Sequence, residues 1–475
     1  LESAAEAYRA SLGLEPGSFD ACNNLANILS ASKRYDEALE LYQSAVRLEP
    51  RSALAHRNLG SCLFKLSQHG SAEVALRTAI ELDESSHETR SKLADLYMHT
   101  EQFDQAFELY RSVGAWGWLQ FGMRSSVSWN GLDVVDASYF EDLSAGRAKP
   151  TSPWFLIHMH GMTPQLEKRA ASEYADRILG DLRTPPMVAQ HIEPEPERRL
   201  RLGYLSSDFH SHATMHLLAG VLETHDRASF ETIILSHGAE REDDCTRRLR
   251  AMALPIVNLY DMSDREAAQR IAELGIDILV DLKGHTGTAR PGITALRPAP
   301  IIVNWLGHPG TLGHERLADY IIGDGVVTTP DDAQFYSERL ALMPHVYQPN
   351  DRLRPLPQCA SRSEANLPQN GVVFCSFNQP AKFNPPTFDI WSRLLREVAD
   401  SVLWLMAPPA QATLHNIMHE FRARDVSTDR IVFARPASQR EHLARLQIAD
   451  LALDTFPYTS HTTASDTLWA GVPLV

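Results

Sequence analysis

A 34-residue period at the start of the chain constrains the fold more than any other feature. Leu14-Glu15-Pro16 recurs as Leu48-Glu49-Pro50 and, more loosely, as Leu82-Asp83-Glu84. Three further columns keep the step: Ala4, Ala38, Ala72 and Ala106; Tyr8, Tyr42, Leu76 and Tyr110; Leu25, Leu59 and Leu93. Small residues where paired helices cross, bulky ones a turn later and Pro after the second helix predict helical hairpins. Such hairpins cannot bury their apolar faces alone, so they stack into a superhelix with a concave groove.

This segment resembles the tetratricopeptide repeat family over residues 1–115, and grooves of that kind receive protein. Asn24 and Asn58 share the period and are placed to offer side-chain amides to an extended peptide; the third column holds Lys92. Plain solvated helix positions are the alternative. The array opens in mid-helix without an initiator methionine, so further repeats are expected before it.

From Trp116 to about Pro194 the pattern is helical but aperiodic, rich in Trp, and carries His158-Met159-His160. It reads as a linker over 116–195 packed on the region C-terminal to it. Short apolar runs then alternate with helix-length segments: 200–206, 232–236, 256–259, 276–281, 301–306 and 320–322. That alternation predicts a parallel sheet wound on both faces, here a first lobe over 196–353. A Pro-rich linker, 354–370, precedes a second set of runs at 372–377, 402–406, 431–434 and 451–454. The expected architecture is an α-helical superhelix followed by an α/β domain of two Rossmann-like lobes, with ligands beyond the carboxyl ends of the strands. The chain stops at Pro473-Leu474-Val475 in what reads as a strand, so the second lobe, 371–475, is expected to be incomplete.

A formal charge of −15 argues against a general nucleic-acid binder, which needs a basic footprint, so any phosphate site must be local. No apolar run approaches the ~20 residues needed to span a bilayer. Cys22, Cys62, Cys245, Cys359 and Cys375 are odd in number, scattered and without a CxxC pair, which fits a reducing, cytoplasmic compartment. Self-association is left open.

The chemistry concentrates at strand ends. Ser460-His461-Thr462-Thr463-Ala464-Ser465-Asp466 leads from a strand into a helix, where free N–H groups and the helix dipole favour an anion. Thr462 and Thr463 add hydroxyl donors for a diphosphate, and Asp466 is placed to accept from a ribose hydroxyl. An ordinary Ser/Thr N-cap without ligand is the alternative. Lys382, just beyond Phe377-Asn378-Gln379, is a cation for a departing nucleoside diphosphate. In the first lobe, His210, His212 and His216 do not share one helical face and lack partners for a tetrahedral metal set. No Asp-x-Asp motif is present, so no metal cofactor is expected.

The region from about His158 to Val475 resembles the catalytic region of O-GlcNAc transferases, through GYLSSDFHSHATMH, ALRPAPIIVNWLGHPGT, FNQPAKFNP, SVLWLM, REHLARLQIAD and LDTFPYTSHTTASDTLWAGVPLV. The repeat array before it has the same domain order. The resemblance implies a B-type glycosyltransferase that moves N-acetylglucosamine from UDP-GlcNAc to Ser or Thr hydroxyls of proteins, with inversion and without metal. By motif position, His212, Asp208 and His158 match residues around donor and acceptor, and Lys382 matches the diphosphate lysine. Leu306, Gly307 and Pro309 match a loop closing on the donor. Gln379, Ala437, His442, Arg445, His461, Thr462, Thr463 and Asp466 match the nucleotide site. The resemblance departs at Ala381 and Ala213, where animal enzymes carry tyrosine and proline, and no room exists for their large insert between the lobes. The general base is open among His212, Asp208, His158 and a phosphate oxygen reached through water. Two alternatives also stay open: the same fold with GDP-fucose or UDP-glucose as donor, or a non-catalytic scaffold that binds nucleotide.

Overall fold

The computed structural model describes residues 2–182, 185–187 and 198–475. The chain divides into two compact units, Leu1–Gly122 with Asp261–Ser263, and Met123–Tyr260 with Asp264–Val475.

The first unit is built from α1 (Glu2–Leu14), α2 (Phe19–Ala31), α3 (Tyr35–Leu48), α4 (Ala53–Lys65), α5 (His69–Leu82), α6 (His87–His99) and α7 (Phe103–Ser112). The 34-residue step appears in its backbone. Ser18, Ser52 and Ser86 cap α2, α4 and α6, each hydroxyl accepting from the N–H three residues on at 3.3 Å. Lys33, Ser67 and Glu101 adopt left-handed φ of 59°, 58° and 61° where each hairpin turns. Ala38, Ala72 and Ala106 are fully buried, with Tyr42, Leu76 and Tyr110 beside them. A Cβ on Gly60 would lie 2.7 Å from Leu76 Cγ, so α4 and α5 cross at contact distance.

Three expectations need adjustment here. The first member of the alanine column is exposed, and Ala5 is buried instead, packed with Leu25, Ala26 and Leu29. Asn58 does not offer a free amide: its Nδ2 donates to Asn23 Oδ1 at 2.9 Å and to Asn27 Oδ1 at 3.4 Å. The unit also runs to Gly122 rather than 115, because Gly122 sits against the Phe107 ring and Met98. The boundary therefore falls within α8 (Trp116–Ser125).

The second unit continues with α9 (Leu132–Ala145), α10 (Pro153–Leu156) and α11 (Pro164–Leu182). Ser152 Oγ donates to His285 O and Ser172 Oγ to Gly313 O, both at 2.9 Å, which ties this helical segment to the first lobe. Asn416 Nδ2 donates to Ser126 O at 2.8 Å, tying it to the second lobe as well. Residues 183–184 and 188–195 of the expected linker, and 196–197 at the expected start of the first lobe, lie outside the described residues.

The first lobe alternates β1 (Leu200–Ser206), α12 (Ala213–Thr224), β2 (Phe230–Ser236), α13 (Asp244–Ala251), β3 (Ile256–Asn258), α14 (Asp264–Glu273), β4 (Ile278–Asp281), α15 (Pro291–Ala295) and β5 (Ile301–Asn304), then β6 (Tyr320–Asp324) and β7 (Arg339–Met343). Its sheet has the order β3-β2-β1-β4-β5-β6-β7, parallel throughout. Strand β7 was not anticipated from the sequence; it is an edge strand with Leu342 and Met343 exposed, so its apolar signal is weak. The order of winding reverses between β1 and β4, which opens a crevice beyond their carboxyl ends.

The second lobe comprises β8 (Val373–Ser376), α16 (Pro385–Glu397), β9 (Val402–Met406), α17 (Gln411–Arg422), β10 (Ile431–Ala434), α18 (Gln439–Leu446), β11 (Leu451–Ala452) and α19 (Thr462–Trp469). Its parallel sheet runs β10-β9-β8-β11. Trp404 of β9 is buried among Phe377, Leu443, Leu446 and Val373. Burying an aromatic side chain of this size stabilises by about 1.5–3 kcal/mol, and that anchors the strand ends on which the site is built.

Candidate active site

The loop between β11 and α19 is organised by one carboxylate. Asp454 Oδ1 accepts from Thr455 N and Ser460 N at 2.8 Å and from Ser460 Oγ at 2.6 Å. The loop delivers His461 to the N-cap of α19, with no side-chain cap bond. Among the described residues nothing accepts from the backbone N–H groups of Thr462, Thr463 or Ala464. The alternative of an ordinary Ser/Thr cap is therefore not what forms; this helix start keeps its donors and its dipole available to an anion. Lys382, in the short helical turn Pro380–Lys382 after β8, joins it: its Nζ donates to Thr459 O at 2.9 Å and stands 4.3 Å from the Tyr458 ring centre. Burial pushes its pKa down to about 8, with Asp454 working the other way.

His461 lies 5.2 Å from the Tyr458 ring, and its Nδ1 is 3.2 Å from the Tyr347 hydroxyl of the first lobe. The His158 ring also packs edge-on with Tyr458, at 5.2 Å. Burial, then Lys382 and Arg124, hold His158 down to about 3; burial and Lys382 hold His461 down to about 4. Both rings are neutral across the working range of an enzyme.

A second group lines the ends of β8, β9 and β10. Phe377 stacks edge-on with His442 at 5.2 Å and lies under the Arg445 guanidinium at 5.1 Å. Arg445 Nε and Nη2 point at His442 Nδ1 from 3.1 and 3.0 Å, so Nδ1 accepts and the ring carries its proton on Nε2. Asp466, expected as a free acceptor, is 5% exposed and held by protein: Arg354 Nη1 donates to its Oδ1 at 2.5 Å and Gln439 Nε2 to its Oδ2 at 3.1 Å. Gln379 and Ala437 sit exposed in the loops after β8 and β10.

In the crevice of the first lobe, Asp208 follows β1 and Lys283 follows β4. Lys283 Nζ donates to Asp208 Oδ2 at 2.6 Å, and both side chains are buried. Burial raises the Asp208 pKa, but His212, Lys283 and Ser207 together hold it below the ordinary value. His212 caps α12, its Nδ1 accepting from Thr214 N at 3.2 Å. Burial lowers its pKa, opposed by Asp208. Its Nδ1 also stands 3.6 Å from Asp208 Oδ2, and with Nδ1 accepting from Thr214 a neutral ring carries its proton on Nε2. The third histidine of that run, His216, sits within electrostatic reach of Arg354 and of His442.

The loop after β5 makes a three-residue turn at Leu306 (φ 69°), closed by Gly307 N donating to Trp305 O at 2.9 Å. A left-handed leucine is strained, a feature that clusters at ligand clamps. Gly307 is required, since a Cβ there would be 2.3 Å from Leu282 O. Leu306, Pro309, Tyr458 and His461 line one cavity of about 460 Å³ between the lobes.

The geometry thus brings Lys382, His158, His461 and the Thr462-Thr463 helix start into one cluster and His442 with Arg445 into another, with Asp466 on α19 held by Arg354. Asp208 and His212 stand across in the first lobe. Sequence reasoning passed over Lys283, Arg354 and Tyr347. Lys283 carried a readable signal, being two residues past an apolar run; the other two carried none. Among the described residues no three His, Cys, Asp or Glu side chains assemble as a metal-ligand set, and no helix is long and apolar enough to cross a membrane.

A family model described as glycosyl transferase family 41 matches residues 158–359 and 349–475, and a tetratricopeptide repeat model matches residues 1–53 and 23–87. A probable UDP-N-acetylglucosamine–peptide N-acetylglucosaminyltransferase of Arabidopsis thaliana, SEC, is 35% identical over 284 residues, 58% of this chain and 29% of that protein. The UDP-N-acetylglucosamine–peptide N-acetylglucosaminyltransferase of Caenorhabditis elegans is 29% identical over 406 residues, 62% of this chain and 35% of that protein. The chain spans about a third of the length of these curated relatives. Among solved structures, a mutant O-GlcNAc transferase of Thermobaculum terrenum aligns with a TM-score of 0.67 at 27% identity, covering 96% of this chain and 82% of that one.

Proposed function

This chain belongs to glycosyl transferase family 41, and from that membership we propose that it moves N-acetylglucosamine from UDP-GlcNAc to Ser or Thr hydroxyls of proteins, with inversion and without a metal ion. The observation that carries this reading is the uncapped start of α19 beside Lys382. It is a local cationic site for a diphosphate on a chain whose net charge is −15.

In the proposed reaction the acceptor hydroxyl oxygen bonds to the anomeric carbon from the face opposite the phosphate. The bond from that carbon to the β-phosphate oxygen breaks, and its electron pair leaves with UDP. Lys382 and the N–H groups of Thr462 and Thr463 stabilise that charge, which grows only in the transition state. Arg445 and His442 form the nucleotide wall, and Leu306, Gly307 and Pro309 close on the sugar. The hydroxyl proton has several acceptors within this reading: Asp208, kept ionised by Lys283 and Ser207, the neutral ring of His158, and a diphosphate oxygen reached through water. His212 donates from Nε2 and orients rather than deprotonates. Protein acceptors approach through the repeat array, and the reduced cysteines fit a cytoplasmic setting.

Calorimetric titration of the chain with UDP, UDP-GlcNAc, UDP-glucose and GDP-fucose, repeated with a chelator and with Lys382→Ala, tests the reading. Chelator-insensitive UDP binding that the substitution weakens, followed by GlcNAc transfer to protein, supports it. Binding of GDP-fucose alone shifts the donor, and a folded chain that binds none of the four removes the transferase reading.

A further inference from the structure

A second cavity, of about 280 Å³, opens at the carboxyl ends of β1, β2 and β3 and shares no residue with the cavity between the lobes. The loops after β1 and β2 form its sides. Gly238 lets them meet, since a Cβ there would lie 2.1 Å from Ser207 O. Phe209 and Leu249, both buried, give it an apolar floor. Its volume falls just below the ~300–1,000 Å³ of small-molecule pockets, which suits a single side chain better than a nucleotide. Three charged side chains line it, and two are committed. Arg250 pairs with Glu242, and Glu240 accepts from Asn258 Nδ2 at 3.5 Å. Arg241 is exposed and has no hydrogen bond or ion pair with any described residue.

The cavity adjoins the reacting groups of the first lobe. Ser207, in its lining, donates to Asp208 Oδ1 at 2.8 Å, and the His210 ring, also in its lining, lies 5.7 Å from the His212 ring. The charge of Arg241 is felt at His212, a small addition to burial. An extended polypeptide advances ~3.3 Å per residue, so an acceptor that presents its hydroxyl beside Asp208 carries the neighbouring side chains past this opening. An uncommitted guanidinium above an apolar floor is complementary to a carboxylate on a short aliphatic stem. We propose that the cavity takes an acidic side chain of the acceptor, within about two residues of the reacting Ser or Thr, with Arg241 as its partner. The enzyme then favours acidic acceptor sequences. This rests on the proposed transfer to protein hydroxyls.

The test measures KM for short synthetic peptides, each with one Ser and with Glu, Gln or Lys at a single flanking position, beside calorimetric UDP affinity. With the unsubstituted chain, Glu at one of those positions is expected to lower KM about fivefold relative to Gln, near the upper end for an exposed ion pair. In Arg241→Ala that advantage disappears, and in Arg241→Glu it passes to Lys. Ala239→Phe, which fills the cavity from its exposed rim, raises KM for the Glu peptide alone. UDP affinity and kcat on the Gln peptide stay unchanged in all three. No Glu advantage at any position, an advantage that survives Arg241→Ala, or a loss of UDP affinity in that variant would each overturn the assignment and leave the transferase reading in place. An unsubstituted chain that binds no UDP and glycosylates none of the peptides would remove both.

Discussion

Arg354, in the segment between the two lobes, donates from Nη1 to Asp466 Oδ1 at 2.5 Å, with both side chains more than nine-tenths buried. The guanidinium also lies over the Trp469 ring at 5.3 Å. The pair clamps the inter-lobe segment onto α19, the helix that bears the proposed diphosphate site, and Gln348 Nε2 donating to Ser465 Oγ at 2.6 Å reinforces it.

Removing one partner leaves the other charge buried and unpaired. Arg354→Met is expected to cost about 3–5 kcal/mol in denaturant unfolding, and the double change Arg354→Met with Asp466→Leu to recover much of that loss. A single substitution costing under about 1 kcal/mol would show that the pair is solvent-screened rather than buried.

Nucleotide affinity is expected to depend on pH through Lys382. Its pKa in the free protein is about 8, so the side chain is charged below that pH and loses its proton above it. A bound diphosphate favours the charged form, so UDP affinity should be level below about pH 8 and fall as pH rises beyond it. In Lys382→Met binding should be weaker and level from pH 7 to 9.5. A substituted chain that kept the alkaline fall would assign the titration to another group.

Stability is expected to fall in mild acid. His158 and His442 are held near 3, and His216 and His461 near 4, chiefly by burial, against about 6.5 in the unfolded chain. Below about pH 6.5 the unfolded state binds protons that the folded state does not. Each such histidine then removes up to ~1.4 kcal/mol per pH unit, until its folded pKa is reached. Thermal midpoints recorded from pH 7.5 to 5 should decline, and His158→Phe should decline less steeply. Parallel slopes would mean that this ring is hydrated.

At Gly307 an added methyl meets Leu282 O at 2.3 Å and the Lys283 carbonyl oxygen at 2.7 Å. Gly307→Ala must therefore displace the loop proposed to close on the sugar. The turnover number is expected to drop by about a hundredfold, as misplacement by ~1 Å can do, while UDP affinity stays within a few fold. Turnover assays beside UDP calorimetry read the two separately, and a normal kcat would mean that the loop adjusts freely.

What could be read without coordinates was what is local or repeated. The 34-residue step announced the hairpin array, since identical contacts recur at each repeat, and the alternation of apolar runs with helical segments announced two wound parallel sheets. The start of α19 was legible because hydroxyl residues stood where the loop after a strand enters a helical run. Phase and partnership were not legible. Packing in α1 chose Ala5 over Ala4, a one-residue difference that periodicity cannot resolve. Asn58 spends its amide on Asn23, and Asp466 its carboxylate on Arg354 and Gln439. Lys283 reaches Asp208 only because β1 and β4 are neighbours in the sheet. Residue type and spacing set which elements form, because the forces behind them act within a few residues. The pairing of buried charges and hydrogen-bonding groups depends on which distant segments cross, and the tertiary structure alone decides that.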